Sequence, residues 1–198
     1  MKYVNQLEYP DVPYLTRISL EGEEREKGKS TTIKSSGCGL CSAVMVAHRL
    51  IPNCKFELED ALQLSYDAKA NLNVGTNYKY YAPAFAEKMN FHLETTDDIE
   101  RLRYCLRTGG AAVAHVGGDQ ENYIGVFSHN GHYIAVIGEE SDGRLAILDP
   151  AYWENKYEED GRKGKVQIVN NVIALCDAQV LKQDSASRKP SFYLFWRK

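Results

Sequence analysis

The sequence lacks any apolar run long enough to cross a membrane, and no stretch of it concentrates positive charge. A transmembrane helix needs about 20 consecutive apolar residues, and a surface that binds nucleic acid usually shows as a basic stripe. The net charge of the chain is −3. We therefore expect neither a membrane protein nor a nucleic-acid-binding protein.

Secretion and disulfide signals are missing as well. Residues 1–6 have no apolar core of the kind that a signal peptide carries, so we expect a cytoplasmic protein. The cysteines are odd in number and irregularly spaced, which argues against a disulfide framework and for reduced thiols. They are Cys38, Cys41, Cys54, Cys105 and Cys176.

The composition is that of an ordinary globular protein. The chain has 198 residues, of which 43% are hydrophobic and 26% charged, and this suits one domain over residues 1–198 with a substantial core. Helical patterns come first and strand patterns follow, which predicts an α+β fold with an antiparallel sheet. The predicted helices cover residues 40–51, 57–69, 76–89, 99–108 and 178–186, and the predicted strands cover residues 111–116, 132–137, 145–148, 166–169, 172–175 and 192–196.

Three stretches have no clear periodicity. Residues 1–34 contain Tyr9-Pro10 and Val12-Pro13, which disfavour a helix, so we expect an irregular or extended N-terminal segment. Residues 21–29 and 154–164 are rich in charge, and we expect both to be solvated loops.

Cys38 stands between two glycines immediately before the first predicted helix. The unpaired amides and the dipole at a helix N-terminus favour a thiolate over a thiol, and a thiolate is the form that acts as a nucleophile. Two other interpretations remain open for this motif. A single cysteine is often a small buried hydrophobic residue, and Cys38 with Cys41 has the Cys-x-x-Cys spacing of redox and metal sites.

His132 and Asp149 could complete a catalytic set with Cys38. His132 opens a predicted strand, Asp149 closes the next one, and Asp142-Gly143 between them is a strong hairpin signal. Cysteine-dependent acyl transfer needs a thiolate, an imidazole that moves the proton, and a polar group that orients the imidazole. His129, three residues before His132, is the main competing histidine.

Four segments in this order resemble the bacterial C39-like cysteine peptidases, the family of bacteriocin-processing enzymes within the papain-like superfamily. They are Gly37-Cys38-Gly39, residues 42–46, residues 131–138 and Leu148-Asp149-Pro150. The resemblance covers roughly residues 30–150. It implies an N-terminal helical lobe packed on a C-terminal antiparallel sheet, with the active-site cleft between them.

By the same resemblance, Cys38 is the nucleophile, His132 the general base and acid, and Asp149 the residue that orients His132. The implied substrate is a peptide or another amide, and no cofactor or metal ion is implied. Papain itself has its nucleophile at the second cysteine of a Cys-Gly-x-Cys motif, which would be Cys41. The aromatic residue expected after that cysteine is replaced by Ser42, so we favour Cys38.

The sequence departs from the papain-like pattern at the oxyanion hole. Papain-like enzymes usually carry a glutamine a few residues before the cysteine, and residues 28–37 contain none. Thr32 could offer its hydroxyl instead, with the Cys38 amide as the second donor.

Two alternatives stay in view, the first because of that departure and the second because of the Cys-x-x-Cys spacing. The first is a protein with the same fold that binds in the cleft without catalysis. The second, from a different class, is a thiol–disulfide oxidoreductase that uses Cys38 and Cys41, although the strand–helix alternation expected around such a motif is missing. A zinc site on the same pair lacks a second pair of ligands. Neither the substrate nor the oligomeric state is indicated.

Overall fold

The structure is a computed structural model that describes residues 2–16, 30–71 and 75–198. Within these ranges the α-helices are α1 (Ile33–Ser36), α2 (Cys38–Leu50), α3 (Leu58–Asp67), α4 (Tyr78–Met89), α5 (Ile99–Arg107) and α6 (Ala178–Ser185). The strands are β1 (Pro13–Leu15), β2 (Ser30–Thr32), β3 (Phe91–Thr96), β4 (Ala111–Val116), β5 (His132–Glu139), β6 (Leu145–Leu148), β7 (Val166–Val169), β8 (Ile173–Cys176) and β9 (Phe192–Arg197). None of the described helices is both long and apolar enough to span a membrane.

A seven-stranded sheet forms the centre of the fold, in the order β3-β9-β4-β5-β6-β8-β7. Every neighbouring pair in it is antiparallel. Strand β5 lies in the middle, between β4 and β6. The prediction of a mixed fold with a large antiparallel sheet is therefore confirmed.

Helices cover both faces of this sheet. On one face, α2, α3 and α4 share a hydrophobic core with the inward side of the sheet. On the other face, α5 and α6 close a second core. The sequence predicted a helical part packed on the sheet, and the structure adds that two of the later helices lie on the opposite side.

Helix α2 is enclosed by the rest of the protein. Its residues from Leu40 to Ala47 have no solvent-exposed surface, and it packs against β4, β5 and α3. The spacing of Leu40, Val44, Ala47 and Ile51 predicts a single apolar stripe on this helix, whereas the structure buries the helix on all sides from Leu40 to Ala47. Small side chains such as Ser42, Ala43 and Ala47 let the neighbouring elements approach this closely.

Two hydrogen bonds fix α2 against β5. Ser42 Oγ donates to the Tyr133 carbonyl at 3.2 Å, and Arg49 Nε donates to the Ile137 carbonyl at 2.7 Å. The two bonds lie at different points along the helix, so they set both its position and its direction. As a result, the N-terminus of α2 lies next to the beginning of β5.

The N-terminal segment is more ordered than predicted. Strands β1 and β2 form an antiparallel pair, a 3-10 helix covers Gln6–Glu8, and α1 precedes α2. The backbone of this segment is hydrogen-bonded to two other parts of the chain. The Gln6 amide donates to the Pro150 carbonyl at 2.7 Å, and the Lys34 amide at the start of α1 donates to the Tyr9 carbonyl at 3.1 Å. The charged stretch 21–29 lies outside the described residues.

The prediction that residues 154–164 form a solvated loop is wrong for three of these residues. Lys156, Tyr157 and Arg162 are buried. Arg162 Nε donates to the Gly125 carbonyl at 3.0 Å, and Lys156 pairs with Asp149. Buried charges are tolerated when they are paired in this way, and charge composition alone does not reveal the pairing.

The start of helix α4 and the presence of strand β3 also differ from the sequence prediction. Helix α4 is capped by Asn77, whose Oδ1 accepts a hydrogen bond from the Lys79 amide at 3.1 Å. Thr76, the predicted cap, instead lies 2.9 Å from the Tyr14 hydroxyl. Strand β3 was not predicted, because the Thr95–Asp98 capping signal for α5 overlaps its end.

The loop before β5 is anchored from α6 by Asp184. This buried carboxylate accepts hydrogen bonds from the Tyr123 hydroxyl at 2.9 Å, the Val126 amide at 2.7 Å and the Phe127 amide at 3.1 Å. Because the loop leads directly into His132, the anchor also controls where β5 begins.

We expect Asp184→Ala to lower the free energy of unfolding by about 2–4 kcal/mol, because buried amides left without an acceptor cost about 1–3 kcal/mol each. Chemical denaturation followed by circular dichroism measures this. Asp160→Ala, at an exposed aspartate, is the matched control and should change stability little. Equal stability of the two variants would contradict the anchoring role.

Candidate active site

Cys38 is the first residue of α2. The first backbone hydrogen bond of this helix runs from the Cys41 amide to the Gly37 carbonyl at 3.0 Å, so the Cys38 and Gly39 amides have no acceptor within the helix. Cys38 is partly exposed, whereas the other four cysteines are buried. It is therefore the cysteine that a solvent molecule or substrate can reach.

His132 and Asp149 meet at the adjacent edge of the sheet. His132 Nε2 donates to Asp149 Oδ1 at 2.9 Å, and both side chains are buried. Leu148 pairs with Ala135 across β5 and β6, which places Asp149 near the start of β5. Because Nε2 is taken by Asp149, Nδ1 is the ring nitrogen left to face Cys38.

The Asp149 carboxylate is fixed by three further donors. Its Oδ1 accepts from the Ala151 amide at 2.9 Å. Its Oδ2 accepts from Lys156 Nζ at 2.6 Å and from the Tyr157 hydroxyl at 2.6 Å. A carboxylate held by this many donors cannot rotate freely, so it fixes the His132 ring in one orientation.

The three groups shift one another's pKa in a consistent direction. For Asp149, burial raises the pKa, but the Lys156 charge and the His132 hydrogen bond outweigh it and hold the pKa well below the usual range. For His132, burial lowers the pKa, but hydrogen bonds and charge attraction to Asp149 and Cys38 raise it to about 9. For Cys38, burial raises the pKa, but the hydrogen bond and charge of His132 lower it overall.

A thiol with a lowered pKa beside an imidazole with a raised pKa favours the thiolate–imidazolium ion pair. The backbones of Tyr133 and Gly39 also lower the pKa of Cys38. Cys41 has the opposite environment, because burial raises its pKa. The chemistry that this arrangement can support is nucleophilic attack by Cys38.

Gln6 lies near the site but was not predicted from the sequence, because it falls outside residues 28–37, where the papain-like pattern places its glutamine. It is buried, and its Nε2 donates to the Lys34 carbonyl at 2.7 Å, one helical turn before Cys38 in the chain. Its Oε1 is buried and has no hydrogen-bond partner among the described residues. No signal within the cysteine motif points to it, since it lies 32 positions before Cys38 in the chain.

The two other candidates from the sequence, Thr32 and His129, form hydrogen bonds with residues outside the Cys38–His132–Asp149 group. Thr32 ends β2 and precedes α1, where its amide donates to Ser35 Oγ at 3.1 Å. His129 is exposed, and its Nδ1 lies 2.9 Å from Asp119 Oδ2. His129 is thus paired with a surface carboxylate rather than with Asp149.

A cavity of about 510 Å³ is lined by residues of α4, β3, β4, β5 and β9. Tyr78, Tyr133, Tyr193 and His115 are among its lining residues. The Tyr78 hydroxyl donates to the Gly39 carbonyl at 2.6 Å, and the Tyr78 and Tyr133 rings stack with centroids 4.4 Å apart. Tyr78 in the wall of this cavity therefore contacts the backbone of the first turn of α2.

No group of three His, Cys, Asp or Glu side chains that could hold a metal ion occurs in the described parts of the chain.

Comparison with known proteins gives a likeness in structure only. No family model and no curated protein sequence matches the chain. A crystal structure from Bacillus anthracis, of a protein provisionally described as a C39-like peptidase, superposes with a TM-score of 0.55 at 13% sequence identity. The superposition covers 100% of this chain and 94% of that one. At this identity the likeness establishes that the two chains share a fold.

Proposed function

We propose that this protein is a cysteine-dependent hydrolase of peptide or other amide bonds. Cys38 is the nucleophile, His132 the general base and acid, and Asp149 the residue that orients His132. The observation that carries the proposal is the buried 2.9 Å hydrogen bond from His132 to Asp149, next to a partly exposed cysteine at a helix N-terminus. The likeness to a C39-like peptidase structure supports it.

The reaction follows from the geometry. The Cys38 thiolate attacks the carbonyl carbon of the amide and forms a tetrahedral intermediate. The His132 imidazolium then gives its proton to the departing amine, which leaves a thioester on Cys38. A water molecule, deprotonated by His132, attacks the thioester and releases the acid and the free thiol.

The tetrahedral intermediate carries a negative oxygen that needs hydrogen-bond donors. The backbone amide of Cys38 is one donor in this proposal, since it has no acceptor within α2. For the second donor, Gln6 and Thr32 are the candidates. Gln6 is favoured because its amide is buried and already fixed against the Lys34 carbonyl.

The substrate would lie in a papain-like cleft that includes the aromatic cavity. Tyr133 connects the cavity with Cys38, because its backbone helps to lower the pKa of Cys38 while its ring lines the cavity. A substrate peptide whose carbonyl carbon lies at Cys38 would thus place a neighbouring side chain in this cavity. His115 in this wall is neutral, since burial lowers its pKa to about 3.

The alternatives from the sequence have weaker support. A thiol–disulfide oxidoreductase would need Cys41 as the resolving thiol, yet Cys41 has no exposed surface and burial raises its pKa. A binding protein without catalysis would have no need for a buried His132–Asp149 pair, which costs free energy to desolvate.

The first test is the reactivity of Cys38. Near neutral pH, we expect iodoacetamide to modify Cys38 at least about 10-fold faster than any other cysteine, because its thiolate is stabilised. His132→Ala should slow this modification, since it removes the imidazolium. Mass spectrometry of peptides after timed labelling measures both. His129→Ala is the matched control and should leave the rate unchanged, and equal reactivity of all cysteines would overturn the proposal.

The second test separates the two oxyanion candidates. We expect Gln6→Met to lower kcat/KM for a cleaved amide by about 10²–10³-fold, the usual loss when one oxyanion donor is removed. Thr32→Val should have a much smaller effect.

Alkylation of Cys38 by iodoacetamide serves as the internal control, because displacement of iodide forms no oxyanion. Its rate should stay near the wild-type value in Gln6→Met. A parallel fall in alkylation and hydrolysis would mean that Gln6 only supports the structure, and a larger effect of Thr32→Val would assign the donor to Thr32.

A further inference from the structure

Lys156 is one of the donors that hold Asp149, but a neutral donor would be enough for that, so the orientation of His132 does not explain why a lysine is buried here. Its side chain is 2% exposed, and lysine is almost never this buried unless it is paired. Nζ lies 2.6 Å from Asp149 Oδ2 and 3.1 Å from the Ala151 carbonyl, and it faces the Trp153 ring with 4.9 Å to the centroid. The other carboxylate oxygen of Asp149 already holds His132.

The charges of the site balance only when Lys156 is included. In the ion-pair state, the Cys38 thiolate and the His132 imidazolium cancel, and Asp149 leaves one negative charge in a buried place. The Lys156 ammonium brings the sum to zero. Since an unbalanced buried charge is costly and shifts the pKa of its neighbours, the fourth charge affects both reacting groups.

The other titratable groups around this cluster carry no charge near neutral pH. Burial raises the pKa of Tyr3, which donates to the Asp149 carbonyl, and likewise that of Tyr157 and Cys41. Burial lowers the pKa of His115 on β4 to about 3.

One charged group stands nearby. The Arg188 guanidinium lies against the backbone of Gly131, directly before His132. Arginine remains protonated at every working pH, so its contribution is the same in all the variants below.

We propose that Lys156 is a positioning residue that balances the charge of Asp149 and thereby sets the protonation states of His132 and Cys38. This inference rests on the proposed function. It explains how the buried Asp149 carboxylate can orient His132 without raising the pKa of His132 so far that the ring never releases its proton.

The direction of each effect follows from charge. Lys156→Met removes a positive charge, which favours the imidazolium and disfavours the thiolate, so the pKa of both His132 and Cys38 should rise. Asp149→Asn removes a negative charge and leaves Lys156 unbalanced, so both should fall. The double variant Asp149→Asn/Lys156→Met is neutral at these two positions, and both should return toward the wild-type values.

The experiment measures two titrations in the wild type and these three variants: the rate of Cys38 alkylation against pH, and the NMR shifts of the His132 ring against pH. We expect shifts of about one pH unit or more in the single variants, which is the usual effect of a close charge, and opposite signs between them. Lys163→Met, at a lysine that is 73% exposed, is the matched control and should shift nothing. Thermal unfolding of each variant checks that it is folded.

An unshifted titration in a folded Lys156→Met would overturn the inference, and so would a double variant no closer to the wild type than Asp149→Asn. If Lys156→Met does not fold, the comparison of Asp149→Asn with the double variant still decides. Slow alkylation of wild-type Cys38 would count against the proposed function alone, because the His132 ring titration tests Lys156 without any reaction at Cys38.

Discussion

The position of Cys38 relative to His132 depends on how helix α2 is held against strand β5. The helix is completely buried from Leu40 to Ala47, and hydrogen bonds from Ser42 and Arg49 to β5 carbonyls fix it along its axis. Because one element carries Cys38 and the other carries His132, close packing determines the geometry of the pair. A site built on two packed elements is held more accurately than one built on loops.

The second constraint is Asp149, because a buried carboxylate is stable only when its oxygens accept hydrogen bonds. It does so with side chains and backbone from the segment that follows it, Ala151 to Tyr157. The N-terminal segment then encloses this region, because Tyr3 donates to the Asp149 carbonyl and Gln6 bridges Pro150 to Lys34. One segment thereby connects the chain around Asp149 to α1, the short helix that directly precedes α2 and Cys38.

The sequence could predict the residues whose signals are local. Glycines around Cys38 indicate a helix entry, and Asp142-Gly143 indicates the hairpin that brings the ends of β5 and β6 together, so His132 and Asp149 could be singled out from spacing. Gln6 and Lys156 could not be found this way. A lysine in a charged run looks solvated until the fold supplies its carboxylate, and a glutamine far along the chain from Cys38 becomes its neighbour only through β1, β2 and α1.

The site draws residues from both faces of the sheet, which explains why Cys38 is partly exposed while His132 and Asp149 are buried. Cys38 comes from the α2 side, whereas Tyr157 beneath Asp149 belongs to the core on the α5–α6 side, so the groups meet where β5 begins and β6 ends. His132 is 5% exposed and Asp149 is 1% exposed, whereas the thiol is partly open. In a medium with little water the interactions among the charges are strong. The imidazole can therefore hold its proton against burial while the sulfur remains within reach of a substrate.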